Sequence, residues 1–118
     1  MHWTWNRLVV HLEHWLLNIA GPGGALTAGY QNLKKGRYET AAEAFADAEL
    51  LLRKRNEPDS KIAEAVALRA WCYVKLGRAS EAVPLYEQAI ALEGTVAAPE
   101  RIDQLREQLA WARSETGS

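Results

Sequence analysis

The chain has 118 residues, 14 basic and 15 acidic, for a net charge of −1. That length allows one domain with a real core, and 48% hydrophobic with 25% charged residues is an ordinary globular balance. Without a basic stripe, nucleic acid is not an expected partner, and the lone cysteine, Cys72, leaves no intrachain disulfide to require an oxidising compartment.

Almost every segment is rich in Ala, Leu, Glu, Lys, Arg and Gln, and none shows period-two alternation, so the expected fold class is all-α. The first predicted helix covers residues 4–19, with Thr4 or Asn6 as N-cap. Trp5, Leu8, Val9, Leu12, Trp15, Leu16 and Ile19 follow the spacing of one apolar face. Arg7, His11, Glu13 and His14 interrupt the run, which fits neither a secretory signal nor a bilayer span. A cytoplasmic protein without a membrane anchor is therefore expected. Trp-rich helices can also lie in lipid headgroups, but this one has a single arginine and no lysine on its polar side.

Gly21-Pro22-Gly23-Gly24 reads as a break and hinge over residues 21–24. The second predicted helix covers 25–35 and stops at Gly36. The third covers 38–55, with Ala41, Ala44, Phe45, Ala48, Leu51 and Leu52 on its buried face. Asn56 to Ser60 form a turn, with Asp59 or Ser60 capping a fourth helix that runs to Leu76 and stops at Gly77. The fifth begins at Ser80 and runs to Leu92, with Pro84 in its first turn or just beyond. After a loop from Gly94 to Pro99, the last helix covers 100–113. It carries Ile102, Leu105, Leu109 and Ala112 on one side, many charges on the other and Trp111 at the edge; Ser114 onward reads as frayed.

One phrase occurs twice. Leu33-Lys34-Lys35-Gly36-Arg37 returns as Val74-Lys75-Leu76-Gly77-Arg78, with the glycines 41 residues apart, and Ala41, Phe45 and Ala48 match Ala82, Tyr86 and Ala89. A fixed period of a few tens of residues marks a repeat architecture. The two units resemble the tetratricopeptide repeat family. The first supplies Gly29, Gly36, Tyr38, Ala41, Phe45 and Ala48, and the second Ala70, Tyr73, Gly77, Ala82, Tyr86 and Ala89. The family's usual period is about 34 residues, so this would be a lengthened variant, the extra turns falling between Leu52 and Ala63. The usual large residue early in the first helix is missing at Ala25 and is Val66 in the second unit.

The resemblance implies antiparallel helix–turn–helix repeats, an α-solenoid fragment over residues 25–95, with extra helices at 1–20 and 96–118. It also implies a concave face, lined by the first helix of each unit, that binds a peptide or partner helix. By register that face carries Leu26, Tyr30, Leu33, Lys34, Ala67, Trp71, Val74 and Lys75. Leu26 and Tyr30 replace the polar clamp of the family's chaperone-binding members, so an amphipathic helix or an apolar peptide with some acidic character is the expected ligand. These residues could instead pack against the chain's own terminal helices.

Two repeats fall short of the three or so that a stable stack needs. The charged C-terminal helix would serve as a cap. The segment with Trp3, Trp5, Leu8, Leu12, Trp15, Leu16 and Ile19 would either complete the core or join copies of the chain as a homodimer or higher oligomer. His2, His11 and His14 lack the converging partners of a metal site. No phosphate loop, nucleophile elbow or Cys–His pair is present, and Cys72 lies between Trp71 and Tyr73 as a small buried thiol. The expected function is therefore protein binding, as an adaptor or assembly scaffold without cofactor, metal or catalysis. The alternative is a self-associating unit whose groove its own or a neighbour's N-terminal helix fills.

Overall fold

The computed structural model describes residues 22–94 and 99–116, and these are all-α. Five helices follow in chain order: α1 (Pro22–Lys34), α2 (Tyr38–Lys54), α3 (Asp59–Lys75), α4 (Ala79–Glu93) and α5 (Pro99–Glu115). Each packs on the helix before and after it. Linkers of a few residues between packed helices require each to run antiparallel to the last. The predicted N-terminal helix, its interface residues and the three histidines lie outside the described residues, as does most of the loop before α5.

Three of the helix ends share one physical device. Gly36 and Gly77 adopt φ of +74° and +75°, the left-handed region where a side chain is strained. The turn lets Arg37 N–H reach the Asn32 carbonyl at 2.9 Å and Gly36 N–H the Leu33 carbonyl at 3.1 Å. The pair is reproduced at Arg78 to Tyr73 (2.8 Å) and Gly77 to Val74 (3.0 Å). Both satisfy carbonyls that the helix leaves open. Asn56, at φ 52°, closes α2 in the same way through Glu57 N–H to the Leu52 carbonyl.

The N-terminal ends differ from the sequence expectation. Pro22, Gly23 and Gly24 form the first turn of α1 instead of a loop, because proline at the first helical position loses no hydrogen bond and brings a helical φ. Pro58 and Arg78 are the residues before α3 and α4, so Asp59 lies inside its helix and Ser80 is the second residue of its own. Neither helix has a side-chain cap. Pro84 stands within α4, beyond the first turn. The last helix continues to Glu115, held at its end by Ser114 Oγ donating to the Trp111 carbonyl at 2.7 Å.

The core follows the spacing that recurs in the sequence. Ala41, Phe45 and Ala48 in α2 and Ala82, Tyr86 and Ala89 in α4 are all fully buried. Small residues bring the helices close, and the two rings fill what remains. A Cβ on Gly29 would lie 2.7 Å from Phe45 Cδ1 and Cζ, far inside van der Waals contact, so only glycine admits this ring. The matching position in α3 is Ala70, also fully buried. Leu105, Leu109 and Ala112 add α5 to the same core as α3 and α4, with Ile102 half-buried. Ion pairs join neighbouring helices at Arg69–Glu49 (3.5 Å), Arg101–Glu93 (3.3 Å) and Arg113–Glu87 (3.3 Å).

Candidate functional site: a groove across α1, α3 and α5

Because successive helices run antiparallel, α1, α3 and α5 are alternate members of the stack. Between them lies an open groove of about 380 Å³, within the range of small-ligand and peptide sites. Tyr30 and Leu33 of α1 line it, with Glu64, Ala67, Leu68 and Trp71 of α3 and Arg101, Gln104, Leu105 and Gln108 of α5.

Tyr30, Leu33, Ala67 and Trp71, four of the eight residues expected from the repeat register, converge here. The other four lie elsewhere. Lys34 borders a neighbouring hollow of about 410 Å³ with Thr27, Tyr30, Gln31 and Leu33. Lys75 Nζ stands 4.8 Å from the centre of the Trp71 ring, a cation–π contact at the groove's rim. Leu26 is half-buried against both core clusters. Val74 is buried in the main core, because its place on α3 faces the helices packed behind the groove.

The α5 wall is the part that sequence reasoning missed. Arg101, Gln104, Leu105 and Gln108 follow one helical stripe, but three of the four are polar, so the stripe reads as solvated. An aromatic spacing was available as a signal. Tyr30, Trp71 and Trp111 stand 41 and 40 residues apart, and the Trp71 and Trp111 rings meet at 5.8 Å with a 36° tilt. Tyr30 and Trp111 are among the few large apolar side chains left exposed, at 41% and 42%.

The polar groups of the groove are of two kinds. Tyr30 Oη donates to Glu64 Oε1 at 2.5 Å and its ring packs edge-on to Phe45 at 5.6 Å, which ties α1, α2 and α3 together. Partial burial and that carboxylate push the Tyr30 phenol up to about 12, so it stays protonated and donating at neutral pH. The Arg101 Nε is engaged by Glu93, whose side chain is only 3% exposed. The Gln104 and Gln108 carboxamides have no hydrogen bond among the described residues. Such a site can recognise a polar chain and anchor an apolar side chain beside Trp71.

Cys72 is separate from the groove. It is fully buried, and desolvation pushes its thiol up to about 11, so it is no ready nucleophile. Among the described residues there is no group of three or more potential metal ligands and no helix long and apolar enough to cross a membrane. No protein-family model matches the chain, no curated protein is similar to it, and no solved structure matches it.

Proposed function

We propose that this chain is a tetratricopeptide-type repeat module whose activity is to capture a protein partner in the groove across α1, α3 and α5. The observation that carries the reading is the groove itself, with apolar and aromatic surface from α1 and α3 facing a row of polar side chains from α5. Support for the repeat assignment comes from equivalence at 41 residues. Gly36 and Gly77 share a backbone conformation and hydrogen-bond pair, and Phe45 and Tyr86 share complete burial. In this reading α5 stands as the first helix of a third unit and supplies a wall of the site as well as an end to the stack.

The module acts as a cytoplasmic adaptor or assembly scaffold, without catalysis or cofactor. The test is affinity capture from a lysate with the full chain and with the double variant Tyr30→Ala, Trp71→Ala. Loss of the captured partners with the helical circular dichroism intact is the expected result. Unchanged capture would move the binding surface elsewhere.

A second reading is favoured by the sequence before α1, where Trp3, Trp5 and Trp15 share a short segment with Leu8, Leu12, Leu16 and Ile19. Tryptophan clusters of this kind are common at interface hot spots. Through them the chain would form a homodimer or larger assembly. Light scattering on the full chain and on a variant lacking residues 1–20 separates the readings, since a monomer in both cases rules out self-association.

A further inference from the structure

The two ends of the helical stack are unlike. The last helix, α5, has seven charged residues among its 17, all of them exposed. The first, α1, has one charge in 13 residues, Lys34 at its very end. Yet Gly23, Thr27, Tyr30, Gln31 and Lys34 of α1 are exposed, and their spacing puts them on one face. A helix face left to water is normally charged, as that of α5 is. We infer that this face of α1 is covered by the chain's own residues 1–20, folded back as an antiparallel helix in the same molecule, beside the groove and not in it. The inference does not depend on what the groove binds.

The surface is built to receive large side chains. Thr27 Oγ1 donates to the Gly23 carbonyl at 2.9 Å, so its hydroxyl is used within α1 and its methyl group is what it offers a neighbour. A Cβ on Gly23 would meet nothing within 4 Å. The Tyr30 hydroxyl is already given to Glu64. Thr27, Tyr30, Gln31 and Lys34 border an open hollow along this flank. On its other side α1 seats a ring on a small residue, Phe45 on Gly29, and here Gly23, Gly24, Thr27 and Ala28 offer small residues again.

Residues 1–20 hold the complementary large ones. With Ala20 and Gly21 as the link, antiparallel pairing sets Ile19 at Gly23 and Gly24, Trp15 and Leu16 at Thr27 and Ala28, Leu12 at Gln31, and Leu8 at Lys34 and Lys35. The same rule about the link at 35–37 puts Phe45 within two residues of Gly29, its observed contact.

The link decides between this chain and a second copy. The hinge expected at 21–24 is not one, because Pro22-Gly23-Gly24 is the first turn of α1. Two residues are enough to close a pair of antiparallel helices, and Gly21 is the residue type that ends α1 and α3 at Gly36 and Gly77. A segment on so short a tether meets its own α1 at an effective concentration that a free copy does not reach. The hinge residues that would carry it to a neighbour are used up in the helix. Tyr30 and Leu33 line both the hollow and the groove, so the docked segment borders the groove and leaves it open.

The test is cross-linking of the full chain with a short bismaleimide. His11→Cys with Gln31→Cys places two thiols at the edges of the facing stripes, and His14→Cys with Gln31→Cys places one on the far side of the segment. The native Cys72 is fully buried and does not compete. Unlabelled and isotope-labelled chains are mixed in urea and refolded together, and the linked peptides are read by mass spectrometry. The 11–31 product is expected to dominate the 14–31 product and to join peptides of the same label only. Peptides of mixed label in the statistical share would mean exchange between copies and overturn the inference. Equal yields from the two pairs, or no 11–31 product, overturn it as well. Thr27→Arg sets a charge in the middle of the face. It should lower the 11–31 yield about tenfold, as burial of an unpaired charge opposes docking, with the helical circular dichroism of α1 to α5 retained. An unchanged yield would show that the segment does not lie on Thr27.

Discussion

In the first helical pair, α1 and α2, the Phe45 ring lies against Gly29, where even a methyl group would collide with it. In the second pair, α3 and α4, the equivalent positions hold Ala70 and Tyr86, both fully buried. The skeleton is the same, and the volume is partitioned differently between helix and ring. The phenol also brings a cost that the phenyl ring does not. Tyr86 Oη is buried and has no hydrogen-bond partner among the described residues. The contrast teaches that the two pairs share a turn and a small-residue packing geometry, while each solves its own core.

The sharpest way to break that comparison is Phe45→Ala. Removal of a buried aromatic should cost about 4 kcal/mol, read as a lowered urea midpoint. Next comes Gly29→Ala, expected to cost about 2 kcal/mol by overpacking against Phe45, even though alanine is the better helix former. Phe45→Leu in the same chain should recover part of that loss. The opposite change in the second pair, Ala70→Gly, should cost only about 1 kcal/mol, the helix-propensity difference. If the two pairs respond alike, the ring-on-glycine account is wrong.

Gly36→Ala and Gly77→Ala should be equal, at about 1 kcal/mol each, since no neighbour crowds either Cβ and only the left-handed backbone is strained. Unequal costs would show that the two turns are not equivalent. Tyr86→Phe should be neutral or stabilising by up to about 1 kcal/mol, because it deletes a buried unpaired hydroxyl at nearly constant volume.

The smallest effect is alkaline. Tyr30 and Tyr86 are each raised from 10.0 to about 12, chiefly by burial. Their folded pKa values exceed the unfolded ones, so the stability they give is complete below pH 10 and drains away as pH rises from 10 to 12. Spectrophotometric titration should find late tyrosinate formation, with one late step missing in Tyr30→Phe. Normal titration of both rings would contradict the Tyr30–Glu64 bond and the burial of Tyr86.

How much was legible can be argued element by element. The turns at Gly36, Gly77 and Asn56 announce themselves, because left-handed φ demands Gly or Asn whatever surrounds it. The buried faces of α2 and α4 follow from spacing alone. Helix starts were less legible, since Pro22-Gly23-Gly24 carries strong breaker residues that a proline at the first position reconciles with a helix. Half of the expected groove residues lie in the groove. Val74 went to the core and Leu26 against it, since register specifies a helix face only to within the width of one residue. The polar wall of α5 was invisible, because a groove wall and a solvated face have the same composition.

The sequence by itself determined the all-α class, the places where α1, α2 and α3 stop and the small-residue contacts that bring the helices together. These are local matters, decided by φ, hydrogen-bond spacing and side-chain volume within a turn or two. Only the tertiary structure decided that α5 turns Arg101, Gln104 and Gln108 toward Trp71 and Tyr30. That arrangement depends on how five helices stack, and residues separated by as many as 78 positions meet in it with no local signal to announce them.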